Sequence, residues 1–180
     1  MNKRVGVVGV LLVGLAGLAG CTEPDTTPVP TVAAQPWACT GVPMRAIELM
    51  SGRENLKVEE TGSWAGEDEF YCFVESQDGK QVLTVEYSYT GSAGTEEGIL
   101  PRLAAAEGSV ALDGGDTPGG GYAYPFGDGA AFAMWWSGQQ WLAVTLRRSA
   151  GGGRDPVADV GTLLVSMLPW AFGGEDPPRP

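Results

Sequence analysis

The chain has 180 residues with 11 Lys and Arg against 22 Asp and Glu, a formal charge of −11, and no histidine. An acidic surface of this kind gains no counterion release on a phosphate backbone, so nucleic acid is excluded as a partner. Without an imidazole the usual general base, the commonest metal ligand and the serine or cysteine triads are also gone, and any catalysis would rest on carboxylates, tyrosines or lysines.

Lys3 and Arg4, an apolar stretch from about Val5 to Ala19, and small residues running into Cys21 have the layout of a secretory signal peptide. Leu18-Ala19-Gly20-Cys21 is similar to the lipobox of bacterial lipoproteins. That resemblance implies acylation of Cys21 and cleavage before it, with residues 1–20 removed. The apolar run is short and glycine-rich for a membrane span. Each buried methylene of a lipid chain contributes about 0.8 kcal/mol, so several chains on one cysteine hold a protein durably. The expected address is the outer side of the cell membrane, with the lipid on Cys21 as the membrane partner and no cofactor.

Residues 21–36, Cys21 followed by "TEPDTTPVPTVAAQP", are rich in Pro and Thr and poor in apolar residues, and are expected to form a disordered tether. A single domain is expected over 37–172. Pro43 in a first turn, Met44, Ile47 and Met50 at helical spacing, and Gly52 as a stop predict a short helix. "LKVEETGSW", "EFYCFVES" and "QVLTVEYSYT" predict three antiparallel strands, the last two joined at Asp78-Gly79. Two cysteines remain after Cys21, and outside the cytoplasm Cys39 and Cys72 are expected to pair. Such a bridge restricts the unfolded chain by about 3.5–4 kcal/mol in the loop-entropy model.

Glu96-Glu97 followed by Ile99, Leu100, Leu103 and Ala106 predict a second helix. A glycine-rich loop leads to a short strand at Tyr122–Phe126, and "AAFAMWWSGQQWLAVTLRR" reads as a hairpin around Ser137-Gly138. Asp155-Pro156 is a cap and first turn for a final helix carrying Val157, Val160, Leu163, Leu164, Met167 and Leu168 on one stripe. Residues 173–180 are expected to be a frayed tail. The fold class is α+β: an antiparallel sheet of about six strands, three helices packed on it and one disulfide.

Several motifs bear on chemistry. "GSWAG" places its serine one position early for a nucleophile elbow. Gly119-Gly120-Gly121 lacks the spacing of a phosphate loop. Glu59, Glu60, Glu67, Asp68 and Glu69 offer carboxylates for glycosidase chemistry on a hairpin, where such clusters are ordinarily solvated charge. Asp113 to Asp116, "DGGD", lacks the alternating ligands of a calcium loop.

The aromatic pattern is more informative. A three-residue turn Ser137-Gly138-Gln139 with Trp136 opposite Gln140 would put Phe132, Met134 and Trp136 on one face with Leu142, Val144 and Leu146. Trp135 and Trp141 would then pair on the other face near Tyr122 and Tyr124. Under a helix these four are core; left open, they form a candidate binding patch for an envelope protein or glycan.

Together the lipobox, the Pro/Thr tether, a cysteine before the first helix, a second cysteine in a strand and the closing "GRDP" helix resemble a family of small, uncharacterised actinobacterial surface lipoproteins. Phe73 stands near where that pattern carries a tryptophan. The resemblance brings no catalytic residues. It implies a lipid-anchored extracytoplasmic domain; the role expected for that domain is non-enzymatic binding or an accessory function, the alternatives being a carboxylate-dependent glycan hydrolase and a stabilising subunit of an envelope assembly.

Overall fold

Residues rich in branched and aromatic side chains form long antiparallel strands here because every strand finds a neighbour within a tight turn or by edge pairing. The computed structural model describes residues 26–64, 69–89 and 96–180. In chain order the elements are β1 (Trp37–Cys39), β2 (Val42–Pro43), α1 (Met44–Ser51), β3 (Lys57–Gly62), β4 (Phe70–Glu75), β5 (Gln81–Tyr89), α2 (Glu96–Ala104), β6 (Val110–Ala111), β7 (Gly120–Pro125), β8 (Ala131–Ser137), β9 (Gln140–Leu146) and α3 (Pro156–Ala171). β1 and β2 form a small hairpin. The others make one antiparallel sheet in the order β3-β4-β5-β9-β8-β7-β6.

The class is therefore α+β, with three helices on an antiparallel sheet and a disulfide joining Cys39 to Cys72. The main sheet has seven strands rather than about six. β1, β2 and β6 escape a sequence reading because two or three residues cannot display an alternating pattern. Both bridge cysteines are fully buried, and the bond ties β1 to the middle of the first meander.

One face of the sheet carries Phe70, Cys72 and Val74 of β4, Leu83, Val85 and Tyr87 of β5, Leu142, Val144 and Leu146 of β9, and Ala131, Ala133 and Trp135 of β8. All are buried. α3 packs on this face across β7, β8 and β9, with α1 beside it. The expected stripe on α3 is in place: Val160, Leu163, Leu164, Met167 and Leu168 are buried, with Val157 partly so. Its start is also as expected, Asp155 Oδ1 accepting from the backbone N–H groups of Val157 and Ala158 at 3.0 and 3.2 Å. α1 ends at Gly52 in the left-handed conformation, φ 65°, where a glycine carries no Cβ penalty.

The register expected for the last hairpin is corrected. Ser137 pairs with Gln140 and Trp136 with Trp141, so the turn holds two residues, Gly138 and Gln139. Gly138 sits at φ 61° and Gln139 does not share the positive φ, the signature of the II′ turn whose twist suits flanking strands. The pattern misled because both faces of β8 are apolar. Ala131, Ala133 and Trp135 alternate with Phe132, Met134 and Trp136, and helices lie against each set. A strand covered on both sides loses the in/out contrast by which register is read.

Residues at both ends of the domain lie against it. Within 21–36, the described part is not free of the fold: Val29 is 5 % exposed and belongs to the core, and Arg154 Nη1 donates to the Thr27 carbonyl at 2.9 Å. Arg154 is held by a bidentate pair with Asp159, Nε to Oδ2 and Nη2 to Oδ1 both at 2.8 Å. Composition does not reveal one buried valine and one carbonyl acceptor, through which this proline-rich segment lies on the domain without a ladder of its own. Similarly the tail 173–180 turns back, Gly41 N–H donating to the Pro178 carbonyl at 2.7 Å.

Candidate ligand-binding site

The four residues of the candidate aromatic patch do not share a surface. Trp135 faces the core, 3 % exposed, its indole N–H donating to the Pro118 carbonyl at 2.9 Å. Gly114 is the residue that lets this ring in, since a Cβ there would lie 2.2 Å from the ring edge. Trp141, Tyr122 and Tyr124 are half-buried on the opposite face. Trp141 is paired with Trp136, Tyr122 with Met134, and Tyr124 with Phe132, ring centroids 5.3 Å apart. α2 covers the β7–β8 end of this face, leaving a hollow of about 380 Å³ among Ile99, Arg102, Leu103, Ala106, Tyr124, Phe132 and Met134. Cys21 lies outside the described residues, as do Glu67 and Asp68.

The remaining carboxylates of the hairpin cluster separate. Glu60 accepts from Thr40, at 2.6 Å from its N–H and 3.0 Å from its hydroxyl. Glu59 is exposed. Glu69 accepts from the Tyr71 hydroxyl at 3.0 Å and from Ser88 at 3.3 Å. Glu86, one strand over and opposite Tyr71, interacts with the same hydroxyl. Burial holds its carboxyl above the usual range, the charge of Glu69 adds to the effect and the Tyr71 hydroxyl opposes it. Asp113 Oδ1 accepts from Gly115 N–H at 3.0 Å, a local turn. Among the described residues no group of three or more acidic or cysteine side chains stands close enough to hold a metal ion.

A larger opening lies elsewhere, where the N-terminal half of α3 runs beside β6 and the end of β7. It encloses about 480 Å³ and is lined by Val110, Ala111, Leu112, Ala123 and Pro125 on the sheet side and by Val157, Ala158, Gly161, Thr162 and Val165 on the helix side, with Thr31, Gly108, Asp113 and Asp155 at its margin. This size and apolar lining are those of small-molecule pockets. Its origin is local. Residues 158, 161, 162 and 165 recur at helical spacing and none is larger than valine; at Gly161 the helix sits tightly on Leu112, a Cβ there lying 2.8 Å from its Cδ2, and the opening lies around this contact. Several of its polar groups have partners within the protein: Thr162 donates to the Ala158 carbonyl at 2.9 Å, Asp155 caps α3 and Asp113 caps its turn. The groove therefore offers apolar surface and little competing hydrogen bonding. Sequence reading missed it, though the small-residue face of α3 and the isolated Val110 were its available signals.

No family model, curated protein or solved structure matches the chain. No helix among the described residues is long and apolar enough to cross a membrane.

Proposed function

We propose that the chain is a lipid-anchored, extracytoplasmic binding domain of the cell envelope, anchored through Cys21, and that the groove between α3 and β6–β7 is its ligand site. The observation that carries the reading is a groove of about 480 Å³ whose lining is mostly apolar and whose Thr162, Asp155 and Asp113 bond within the protein. Such a lining binds through apolar burial, at about 25 cal/mol per Å² removed from water. A small, largely apolar molecule or apolar part of an envelope component fits it. The resemblance to small actinobacterial surface lipoproteins is in line with this address.

The test is titration with a neutral naphthylamine dye that brightens in apolar surroundings. Wild-type protein gives saturable one-to-one binding, and Ala158→Phe, an exposed helix position on the groove wall, weakens it by about tenfold or more with unchanged melting. Dye binding that ignores Ala158→Phe removes the groove as the site.

A second reading, a carboxylate-dependent glycan hydrolase, is favoured by one observation: Glu69 and Glu86 share the Tyr71 hydroxyl, and one of them is held toward its protonated form. It predicts release of reducing ends from envelope polysaccharide that vanishes in both Glu69→Gln and Glu86→Gln. Release that persists in both variants, or none by the wild type, rejects it.

A further inference from the structure

Three large apolar residues are exposed among the described residues: Val32 at 76 %, Val110 at 56 % and Phe126 at 52 %. Each is at, or next in sequence to, a residue that lines one opening. Val110 lines the groove, Val32 follows Thr31, which lines it, and Phe126 follows Pro125, which lines it too. Scattered single apolar residues on a surface need no explanation, whereas a set gathered around one opening marks a contact surface.

The chain itself indicates what the surface touches. Residues 27–29 are seated on the domain beside this opening, through the Arg154–Thr27 hydrogen bond and the burial of Val29. Only residues 22–26 then separate Cys21 from the first seated residue. Fully extended, the span from Cys21 to Thr27 is about 20 Å at most. We infer that the rim of the groove is a membrane-docking surface, in which Val32, Val110 and Phe126 enter the outer layer of the lipid bilayer and the groove opens onto it. The inference rests on acylation of Cys21. A free tether of sixteen residues would let the domain stand well away from the lipid; a tether seated at this edge keeps the edge close and turned toward it.

Charge selects the kind of lipid surface. With Lys3 and Arg4 removed the acylated chain carries −13 and is repelled by anionic headgroups, and the two carboxylates at the groove margin, Asp113 and Asp155, are turned to backbone N–H groups. Docking is thus apolar in origin, suits a zwitterionic surface and is insensitive to salt.

The experiment uses the full acylated chain in phosphatidylcholine vesicles that carry a bilayer-embedded nitroxide quencher. Single cysteines are introduced and labelled with a fluorophore at Val110→Cys, at Phe126→Cys and, as a control on edge strand β3 across the sheet from β6, at Lys57→Cys. All three positions are exposed, so folding is preserved. Labels at 110 and 126 are expected to be quenched about threefold more than the label at 57, at low and high salt alike. Vesicle flotation is measured on the same samples. Protein that floats with equal quenching at all three positions overturns docking and leaves the anchor standing; protein that fails to float overturns the anchor and the docking with it.

Discussion

Trp135 and Trp136 are neighbours in β8, and the pleat sends them to opposite faces of one sheet. Trp135 enters a continuous core, with α3 above it and the Cys39–Cys72 bridge farther along the same face. Trp136 is as fully covered, its N–H donating to the Gly138 carbonyl at 2.8 Å, but its row is different. Around it Trp141, Met134, Phe132, Tyr122 and Tyr124 are all half-buried, and the face continues into Glu86, Thr84 and Tyr71. The first face is closed by two helices; the second is roofed by α2 only over β7 and β8. The same strands thus build a stabilising layer on one side and a partly wetted, mixed aromatic and carboxylate layer on the other. An apolar pattern reports that a residue has a covered side, and not how completely that side is covered.

The contrast can be broken at its strongest point with Trp135→Ala. Removing a buried indole from the continuous core is expected to cost about 3–5 kcal/mol, read as a shift of the denaturant midpoint with unchanged slope. A loss below about 1 kcal/mol would mean that the core is not continuous beneath α3. Trp141→Ala sharpens the comparison from the other face: a half-buried ring in a partly wetted layer is expected to cost about 1–2 kcal/mol. Equal losses for the two would erase the distinction between the faces.

The smallest effect is electrostatic and tests whether the second face desolvates its carboxylate. The Glu86 carboxyl titrates above its ordinary range in the fold. The folded state therefore prefers the protonated form, and that contribution to stability is present at acid pH and is lost as pH rises through the carboxylate range. Glu86→Gln, neutral at every pH, should remove this dependence and stabilise the protein near pH 7 by less than about 1 kcal/mol, the carboxyl being partly solvated. Thermal melts of the two proteins from pH 4 to 7 should therefore diverge upward in pH, about in step with carboxylate ionisation. Parallel curves would place Glu86 in ordinary solvent.

How far the sequence reached is seen in particular residues. Asp155-Pro156 announced the start of α3, Asp78-Gly79 the β4–β5 turn and Gly52 the end of α1, because each is a local device whose geometry depends on a few adjacent residues. Pairing of Cys39 with Cys72 followed from count and compartment, and the bond is present. The hairpin at Gly138 was found in place but misregistered by one residue, which carried Trp135 from the supposed patch into the core. The groove was not anticipated at all, since it depends on small residues of α3 meeting a two-residue strand more than forty positions earlier.

By itself, then, the chain determined its longer elements, its α+β class and the Cys39–Cys72 bridge, for the elements rest on short-range patterning and the bridge on a pair of cysteines within the folded domain. Which indole is buried, that residues 27–29 are seated on the domain, and that a groove opens beside them were decided only in three dimensions. The physical reason is that coverage belongs to pairs of distant surfaces: Val29 is buried against the domain, whereas Val110 lines an opening that nothing covers and is 56 % exposed.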